Sequence, residues 1–314
     1  MDTRRIGDLE VTIVGIGCNN FGRRLDKAGA DAVVHAALEA GINLFDTADV
    51  YGDGASEEYL GNTLGSRRDE VVIATKFGVQ LGDDPGRGGA SPRWIERAVE
   101  GSIRRLGTDR IDLYQLHKPD ENTPVEDTLE ALDRLVTAGK VRQIGCSNHS
   151  AAQIETALSI SRERGLARYV SVQNEYSVLQ REPEKGVTEA CQKNGLALVP
   201  YFPLASGMLT GKYIRGEEAP AGSRLAGMSP SRSDRFANAR NFARVEQLAA
   251  LAKERGHTIL ELAISWLVAQ PVVASVIAGA TSPEQVRANV DASRWKLLPE
   301  DLSEVDKITG NLAV

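Results

Sequence analysis

The feature that most constrains the fold of this chain is a short β-branched run followed by a longer helical stretch, a cycle that recurs from end to end. Strands that alternate with helices are parallel and are joined by right-handed crossovers. Eight such cycles most simply close into a single-domain (β/α)8 TIM barrel, an α/β fold, over residues 1–314. The predicted strands are residues 12–16, 43–45, 71–74, 111–115, 141–144, 170–172, 197–199 and 274–277. The predicted helices are residues 30–40, 56–64, 91–106, 124–138, 150–164, 183–194, 239–255, 259–269 and 283–291.

Three of these helices begin with a hydroxyl residue followed by proline, at Ser91, Thr123 and Ser282. This pair predicts an N-cap with proline at the first helical position. Two segments depart from the repeat. Residues 4–11, with a turn at Gly7, predict a hairpin that closes the barrel floor, and residues 207–238 predict a long functional loop.

Composition argues against several classes of protein. Lys and Arg number 37 against 43 Asp and Glu, a formal net charge of −6, which argues against a nucleic-acid partner. No apolar run approaches the roughly 20 residues of a membrane span, and the polar N-terminus has no signal-peptide core. Cys18, Cys146 and Cys191 are too scattered for a disulfide framework or a zinc site. We therefore expect a cytoplasmic protein with no metal and no membrane partner.

Polar side chains follow five consecutive predicted strands. The active site of such a barrel lies where the carboxyl ends of its strands meet, so these residues are expected to share one cavity. Singly, each has an ordinary alternative: a carboxylate can cap a turn, a tyrosine or histidine can pack in a core, and a lysine can be solvated. Jointly they predict an active site. They are Asp46, Tyr51, Lys76, His117, Ser147, Asn148 and Gln173.

Four of these groups form a chemically coherent set. Tyrosine has a pKa of about 10, too high for a good proton donor at neutral pH. The ammonium of Lys76 would lower that pKa for Tyr51, and Asp46 would hold the ammonium in place. A neutral His117 would align a substrate oxygen. This arrangement suits protonation of an oxygen that gains negative charge, as in carbonyl reduction.

Six motifs then resemble the aldo-keto reductase superfamily, and most of all its bacterial members that are similar to potassium-channel β subunits. The resemblance extends over residues 17–289, with the motifs in the family's order. It implies NADPH-dependent, reversible reduction of aldehydes or ketones by hydride transfer, with Asp46, Tyr51, Lys76 and His117 as the catalytic tetrad and Tyr51 as the general acid. The motifs are FDTADVYG at 45–52, ATKFG at 74–78, LHKP at 116–119, IGCSN at 144–148, VQNEYS at 172–177 and YFPLASG at 201–207.

The resemblance also implies an NADPH site over the barrel mouth, without a dinucleotide-binding domain. Gly15 and Gly17 do not begin a dinucleotide fingerprint, because Asn20 stands where its third glycine belongs. By similarity, Ser147, Asn148 and Gln173 hold the nicotinamide amide and Tyr201 stacks on its ring, although Tyr201 could also be a core residue. The other implied cofactor contacts are Gly17, Cys18, Asn19, Phe202, Pro203, Leu204, Ala205, Ser206, Gly207, Lys212, Arg224, Gly279, Thr281, Gln285 and Asn289.

The adenosine end departs from a common pattern of the family. Many members carry a Lys or Arg pair that grips the 2′-phosphate, but Gly279 and Gln285 occupy the matching positions here. Thr281, Ser282 and the following helix N-terminus could bind a phosphate instead. We expect NADPH to be preferred, with NADH possible.

Two other functions stay open at this point. Lys76 could form a Schiff base in an aldolase or lyase, and the likeness to channel subunits permits an NADPH-sensing partner subunit with little turnover. The sequence does not identify the carbonyl substrate or the oligomeric state. Its pocket walls are expected at residues 82–89 and 223–238, with a short tail after Pro299 that leaves the site open.

Overall fold

The computed structural model describes residues 1–82 and 86–310, and within them eight parallel strands form one sheet in the order β10-β3-β4-β5-β6-β7-β8-β9. The backbone N–H of Leu198 in β9 donates to Val272 at 2.7 Å, and that of Ala274 donates back to Leu198 at 3.0 Å. These bonds join β9 to the segment before β10 and close the barrel. The strands are β1 Thr3–Ile6, β2 Leu9–Thr12, β3 Val14–Gly17, β4 Leu44–Asp46, β5 Val72–Phe77, β6 Ile111–Leu116, β7 Val141–Ser147, β8 Tyr169–Gln173, β9 Ala197–Leu198 and β10 Val276–Gly279.

Helices cover the outside of the barrel. Strands β5 and β6 are therefore buried along their whole length, with one side facing the helices and the other facing the barrel interior. The helices are α1 Lys27–Glu39, α2 Ala55–Leu64, α3 Pro92–Leu106, α4 Val125–Thr137, α5 Ala151–Arg164, α6 Val187–Asn194, α7 Pro230–Asp234, α8 Ala239–Glu254, α9 Ile259–Val268, α10 Pro283–Asp291 and α11 Pro299–Thr309, with 3-10 helices at Tyr51–Gly54, Gly65–Glu70, Glu182–Glu184 and Ala205–Thr210.

The antiparallel pair β1–β2 closes the amino-terminal end of the barrel. Ile6, Leu9 and Val11 of this hairpin are buried in the same apolar cluster as interior residues of the barrel strands. Arg4 donates hydrogen bonds to the carbonyl oxygens of residues 268, 270 and 273. The floor is thus filled by side chains, and the carboxyl ends of the strands are left for a ligand.

The predicted barrel, the hairpin and all eight barrel strands are confirmed, with boundaries that move by a few residues. Barrel strand β3 begins at Val14 rather than at residue 12, because Thr12 pairs with Thr3 in the hairpin. The predicted cap at Thr123 is wrong: Pro124 is the N-cap of α4, and Thr123 Oγ1 donates to Asp120 Oδ2 at 2.8 Å. The caps at Ser91 and Ser282 are confirmed.

Two carboxyl-terminal features differ from the predicted helices. The predicted helix 183–194 is divided at Gly186, whose φ of +123° separates a 3-10 helix from α6. Helix α11 lies in the tail, where no helix is predicted, and the loop at 207–238 contains the short helix α7. Residues 83–85 of one predicted pocket wall, and residues 311–314, lie outside the described residues.

Candidate active site

A buried ion pair forms the base of the candidate site. Asp46 ends β4, and Lys76 lies near the end of the neighbouring parallel strand β5. The Lys76 side chain is fully buried, and its Nζ donates to Asp46 Oδ2 at 2.6 Å and to the Thr47 carbonyl oxygen at 2.9 Å. Adjacent strands thus bring the predicted acid and amine into direct contact, below the cavity surface.

Tyr51 and His117 complete the predicted quartet. The Lys76 Nζ lies 5.2 Å from the centroid of the Tyr51 ring, and the Tyr51 and His117 rings meet edge to face with centroids 5.8 Å apart. Tyr51 opens a tight turn in which Gly52 has a φ of +57°. A Cβ on Gly52 would lie 2.9 Å from backbone atoms of residues 21 and 22, so only glycine allows this close approach.

Two opposing influences act on the acidity of Tyr51. Burial raises the pKa of its hydroxyl, and the interaction with the Lys76 ammonium lowers it by a smaller amount. The lowering by Lys76 is as predicted from the sequence, but burial outweighs it and the net pKa of Tyr51 is raised. For Lys76, burial acts to lower the pKa, but Asp46 and Tyr51 outweigh it and the pKa is raised. The amine is therefore held as an ammonium.

His117 is held as a neutral imidazole. Burial, followed by the positive charges of Lys76 and Lys118, lowers the pKa of His117 to about 3. Its Nδ1 is buried and has no hydrogen-bond partner among the described residues. The ring can therefore offer a hydrogen bond to a ligand without carrying a charge, as expected from the sequence.

The second carboxylate oxygen of Asp46 has a partner that the sequence does not predict. Gln173 Nε2 donates to Asp46 Oδ1 at 2.8 Å, so its amide is engaged by the ion pair. Ser147 Oγ donates to the Gln173 carbonyl oxygen at 2.6 Å. Asn148 donates to the His117 carbonyl oxygen at 2.9 Å and accepts from the Tyr201 hydroxyl at 2.7 Å. The predicted nicotinamide contacts are thus tied to the quartet by hydrogen bonds.

A cavity of about 750 Å³ lies above these groups, at the carboxyl ends of the strands. Three of the predicted site residues do not line it: Lys76 lies beneath it, and Cys18 and Ala205 are buried, with Cys18 Sγ directed at the Ile16 carbonyl oxygen at 3.8 Å. The predicted residues that line the cavity are Gly17, Asn19, Asp46, Tyr51, His117, Ser147, Asn148, Gln173, Tyr201, Phe202, Pro203, Leu204, Ser206, Gly207, Lys212, Arg224, Gly279, Thr281, Gln285 and Asn289.

The cavity has the chemistry of a site for a large polar anion. Lys212 and Arg224 line it, and Ser206 Oγ and Asn289 Nδ2 are buried there without hydrogen-bond partners among the described residues. Buried polar groups are nearly always hydrogen-bonded, so these two atoms indicate positions for ligand atoms. The residues present therefore suit a phosphate-bearing dinucleotide such as NADPH.

Sequence reasoning missed several cavity residues that no single motif contains. The most notable are the adjacent Arg23 and Arg24 after β3. A usable signal existed for both: a basic pair shortly after the first barrel strand, at the end where ligands bind. The missed lining residues are Asn20, Arg23, Arg24, Leu260, Ile277 and Ala288. Six further lining residues fall within the long loop 207–238 that the sequence predicts to be functional: Thr210, Pro220, Ala221, Gly222, Ser223 and Arg232.

The predicted adenosine segment is bonded within itself. Gln285 Oε1 accepts from the Thr281 backbone N–H at 2.9 Å and from Thr281 Oγ1 at 3.2 Å. Arg287 is exposed, donates to Glu284 at 3.1 Å and does not line the cavity. This segment therefore supplies polar groups to the cavity and no cation.

Two kinds of feature are absent from the part of the chain that the structure describes. No group of three or more His, Cys, Asp or Glu side chains is placed to hold a metal ion in residues 1–82 and 86–310. No helix in the described part of the chain combines the length and the apolar character that crossing a membrane requires.

The chain is similar in sequence to known proteins. A sequence profile of the Aldo/keto reductase family matches residues 13–309. The chain is 37% identical to a probable voltage-gated potassium channel subunit beta of Oryza sativa subsp. japonica, over 87% of this chain and 84% of that protein. It is 33% identical to aldo-keto reductase yakc [NADP(+)] of Schizosaccharomyces pombe, over 99% and 92%. It is 30% identical to L-glyceraldehyde 3-phosphate reductase of Escherichia coli, over 92% and 86%.

Proposed function

The chain belongs to the aldo/keto reductase family, and on that premise we propose that it reduces an aldehyde or ketone to the alcohol, reversibly, with NADPH as hydride donor. The observation that carries the proposal is the fully buried Lys76 ammonium, held between Asp46 and the Tyr51 ring at the base of the cavity. The reaction then requires two small-molecule partners, the carbonyl compound and NADPH.

The cofactor is proposed to lie across the cavity mouth. Lys212, Arg224 and Ser206 would hold its phosphates, and Asn148 and Tyr201 would border its nicotinamide. When bound, NADPH supplies the hydride that is added to the carbonyl carbon. Gly17 and Gly279, which bear no side chain, keep the rim open for the close approach of a ligand.

Tyr51 supplies the proton. Because its pKa is raised, the phenol is fully protonated at neutral pH and carries the proton that the carbonyl oxygen needs. As hydride addition places negative charge on that oxygen, its basicity rises and the proton moves to it from the phenol. Lys76 then stabilises the phenolate that remains, and Asp46 keeps the ammonium in place.

His117 orients the carbonyl group. Its neutral ring is edge-on to Tyr51, and a hydrogen bond to the carbonyl oxygen would keep that oxygen beside the phenol. Asn148 also donates a hydrogen bond to the His117 carbonyl oxygen, which helps to fix the backbone of His117. The residues of the chain thus position, polarise and protonate the substrate.

The raised pKa of Lys76 does not favour the Schiff-base alternative. Attack on a carbonyl carbon requires a neutral amine, and Asp46 stabilises the ammonium instead. An NADPH-sensing role shares the same cavity and differs in turnover. The relative from Oryza sativa carries the name of a channel subunit, so turnover has to be measured directly.

The test is a panel of aldehydes and ketones that includes a phosphorylated aldehyde, with NADPH consumption followed by the near-ultraviolet absorbance of the reduced nicotinamide. Wild-type protein should turn over at least one class of carbonyl. Tyr51→Phe should lower kcat about 10²- to 10⁴-fold, the usual contribution of a general acid, while the Kd for NADP⁺ changes little. Tight NADP⁺ binding with negligible turnover across the panel would support the sensor role, and undiminished kcat in Tyr51→Phe would show that Tyr51 is not the acid.

A further inference from the structure

A second cavity, of about 540 Å³, lies outside the barrel between helices α4 and α5. It shares no lining residue with the cavity of the candidate active site. Its volume falls within the range of small-molecule sites, which is roughly 300–1,000 Å³. The cavity is therefore large enough for a small organic molecule. The buried residues that line it form its floor: Ala90, Leu116, Thr128, His149, Ala157 and Tyr169.

His149 brings an unused hydrogen-bond acceptor to this floor. The residue is only 7% exposed, and its Nδ1 lies 2.9 Å from the Ser147 carbonyl oxygen. A carbonyl oxygen can only accept, so Nδ1 carries the hydrogen of this bond. Burial lowers the pKa of His149, so the ring is neutral and Nε2 holds a lone pair. Nε2 makes no hydrogen bond with any residue that the structure describes.

Tyr169 brings an unused hydrogen-bond donor to the same floor. Its ring meets that of His149 edge to face, with centroids 6.1 Å apart, and the residue is 2% exposed. Burial raises the pKa of the Tyr169 hydroxyl, so this group stays protonated. The hydroxyl has no hydrogen-bond partner within residues 1–82 and 86–310. The two rings thus place one acceptor and one donor, both uncharged, in a single cavity.

Other polar groups of the cavity already have partners. Thr128 Oγ1 donates to the Ala90 carbonyl oxygen at 3.1 Å. Asp120 Oδ2 accepts from the Ala90 N–H at 2.7 Å and from Thr123 Oγ1 at 2.8 Å. Asp120 and Glu121 both line the cavity, and among the described residues no lysine or arginine does. An anionic ligand would therefore be repelled, and the uncharged pair on the floor remains to bind a polar group.

We propose that this cavity binds a small uncharged molecule in which a hydroxyl group is attached to an apolar ring. The hydroxyl donates to His149 Nε2 and accepts from the Tyr169 hydroxyl, while the ring packs on Leu116 and Ala157. A hydroxyl matches both partners because it has one hydrogen and two lone pairs. This site is separate from the proposed reaction, and the inference does not depend on that function.

The test compares p-cresol with p-xylene, in which a methyl group replaces the hydroxyl, by ligand-observed NMR titration of the full chain. Water hydrates a hydroxyl group, so a purely apolar cavity would bind p-xylene more tightly. Wild-type protein should bind p-cresol with a Kd of about 1 mM or lower, and at least as tightly as p-xylene. The reason is that the two hydrogen bonds in the cavity replace those that p-cresol loses to water.

Three variants separate the hydrogen bonds from the shape of the cavity. His149→Asn keeps a donor near the Ser147 carbonyl oxygen and removes the acceptor, and Tyr169→Phe removes the hydroxyl alone. Each should lower the preference for p-cresol over p-xylene by about two- to tenfold, the usual contribution of one hydrogen bond. His149→Gln, whose longer amide can replace Nε2, should retain most of it. Tyr169→Phe deletes a hydroxyl without a partner in the described protein, so it should fold like wild type and remains a test if a His149 variant does not fold.

The imidazole nitrogens identify which cavity is occupied. The chain has four histidines, of which His117 lines the first cavity and His149 lines the second. In protein labelled with ¹⁵N-histidine, p-cresol should shift the Nε2 resonance of His149 and leave the other three histidines unchanged. The resonance is assigned by its absence in His149→Asn.

Four results would overturn the inference. One is a wild-type preference for p-xylene that His149→Asn and Tyr169→Phe leave unchanged, which would indicate a purely apolar cavity. Another is a shift at His117 without one at His149, which would place p-cresol in the first cavity. Tighter binding of benzylammonium than of p-cresol would indicate a cation site at Asp120 and Glu121. The last is a lack of binding of both p-cresol and p-xylene at millimolar concentration.

Discussion

At the scale of single residues, the site is governed by the cost of removing charges from water. Lys76 is buried with Asp46 as its direct partner, and Asp46 and Tyr51 outweigh the effect of burial and raise the pKa of Lys76. Burial, followed by the positive charges of Lys76 and Lys118, disfavours the charged form of His117. The same burial therefore yields one fixed charge, on Lys76, and one fixed neutral ring, on His117, on either side of Tyr51. Their protonation states can be checked separately.

For His117, kcat/KM should show no titration of the imidazole in the ordinary histidine range. Its pKa is lowered to about 3, so the ring is already neutral above about pH 4 and stays neutral as pH rises. The check is a pH–rate profile of wild-type protein beside His117→Gln, which keeps a neutral hydrogen-bonding group. An acid limb near pH 6 to 7 that disappears in His117→Gln would contradict the assignment, whereas a limb common to both proteins belongs to another group.

Asp49 is a buried carboxylate whose burial is only partly compensated by its neighbours. The side chain is buried, and neither oxygen has a hydrogen-bond partner among the described residues. Burial, followed by the negative charge of Glu57, raises the pKa of Asp49 to about 7. Arg105 bonds to Glu57 at 2.7 Å, and its positive charge lowers the pKa of Asp49 by less than burial raises it.

Asp49→Asn should therefore stabilise the protein at high pH. The folded state keeps the proton on Asp49 while the unfolded chain loses it, so this contribution to stability is complete below about pH 4 and is lost as pH rises through about 7. Asparagine does not titrate, and its advantage should be roughly 2–3 kcal/mol larger at pH 8 than at pH 5. Unfolding in urea at the two pH values measures the difference.

The control for that experiment is Asp112→Asn. Asp112 is equally buried but pairs with Arg68 at 2.6 Å and Arg142 at 3.0 Å. Removing its charge leaves a buried guanidinium without its partner, so this variant should lose stability at both pH values. A pH-independent effect of Asp49→Asn would show that the Asp49 carboxylate is not protonated in the folded protein.

At the scale of secondary-structure elements, the features that depend on neighbouring residues could be predicted from the sequence. Contacts between residues that are distant in the sequence could not. The strands, most helices and the caps at Ser91 and Ser282 follow from runs of a few residues, and the structure confirms them. The cap at Thr123 fails because Asp120, three residues earlier, competes for its hydroxyl. No local sequence pattern predicts that Gln173 donates a hydrogen bond to Asp46, 127 residues away, or that Arg24 donates one to the Gly222 carbonyl oxygen. Such pairs depend on the closed barrel.

The hairpin β1–β2 offers a test of one such distant contact. Arg4 holds three carbonyl oxygens near the end of α9 and at the seam where the barrel closes. Arg4→Ala should destabilise the fold by about 2–4 kcal/mol, because these carbonyls lose a charged donor in a partly buried position. Since the hairpin lies at the end of the barrel opposite to the cavity, kcat and KM should change little.

Arg5→Ala is the matched control, because Arg5 is the next residue and is exposed. It should leave the midpoint of thermal unfolding almost unchanged, as measured by circular dichroism. Equal losses of stability in the two variants would indicate a general effect of charge in the hairpin rather than the bonds of Arg4. Loss of kcat in Arg4→Ala would show that the floor and the cavity are coupled.

At the scale of the whole molecule, positive charge is concentrated at the cavity, whereas side-chain packing extends through the barrel, the hairpin and α11. The chain is acidic overall, yet the cavity is lined by five basic residues: Arg23, Arg24, Lys212, Arg224 and Arg232. A positively charged cleft concentrates the electrostatic field, so it attracts a polyanionic ligand even though the protein as a whole is negatively charged. Packing, by contrast, is continuous: the hairpin residues share the barrel interior, and α11 is joined to the rest by Arg255–Asp301 and Arg181–Asp306 bonds of 2.8 and 2.6 Å.

This continuity predicts that residues 1–314 unfold as one domain, in a single transition that a bound dinucleotide shifts as a whole. A ligand at 100 times its Kd stabilises the folded state by about 2.7 kcal/mol, which for a chain of this size raises Tm by about 4–6 °C. Calorimetric scans with and without NADP⁺, and with 5′-AMP as a weaker ligand, measure the shift. Because the hairpin and α11 pack on the same barrel as the cavity, neither should melt separately. Two resolved transitions, of which NADP⁺ moves only one, would show that part of the chain folds independently of the site.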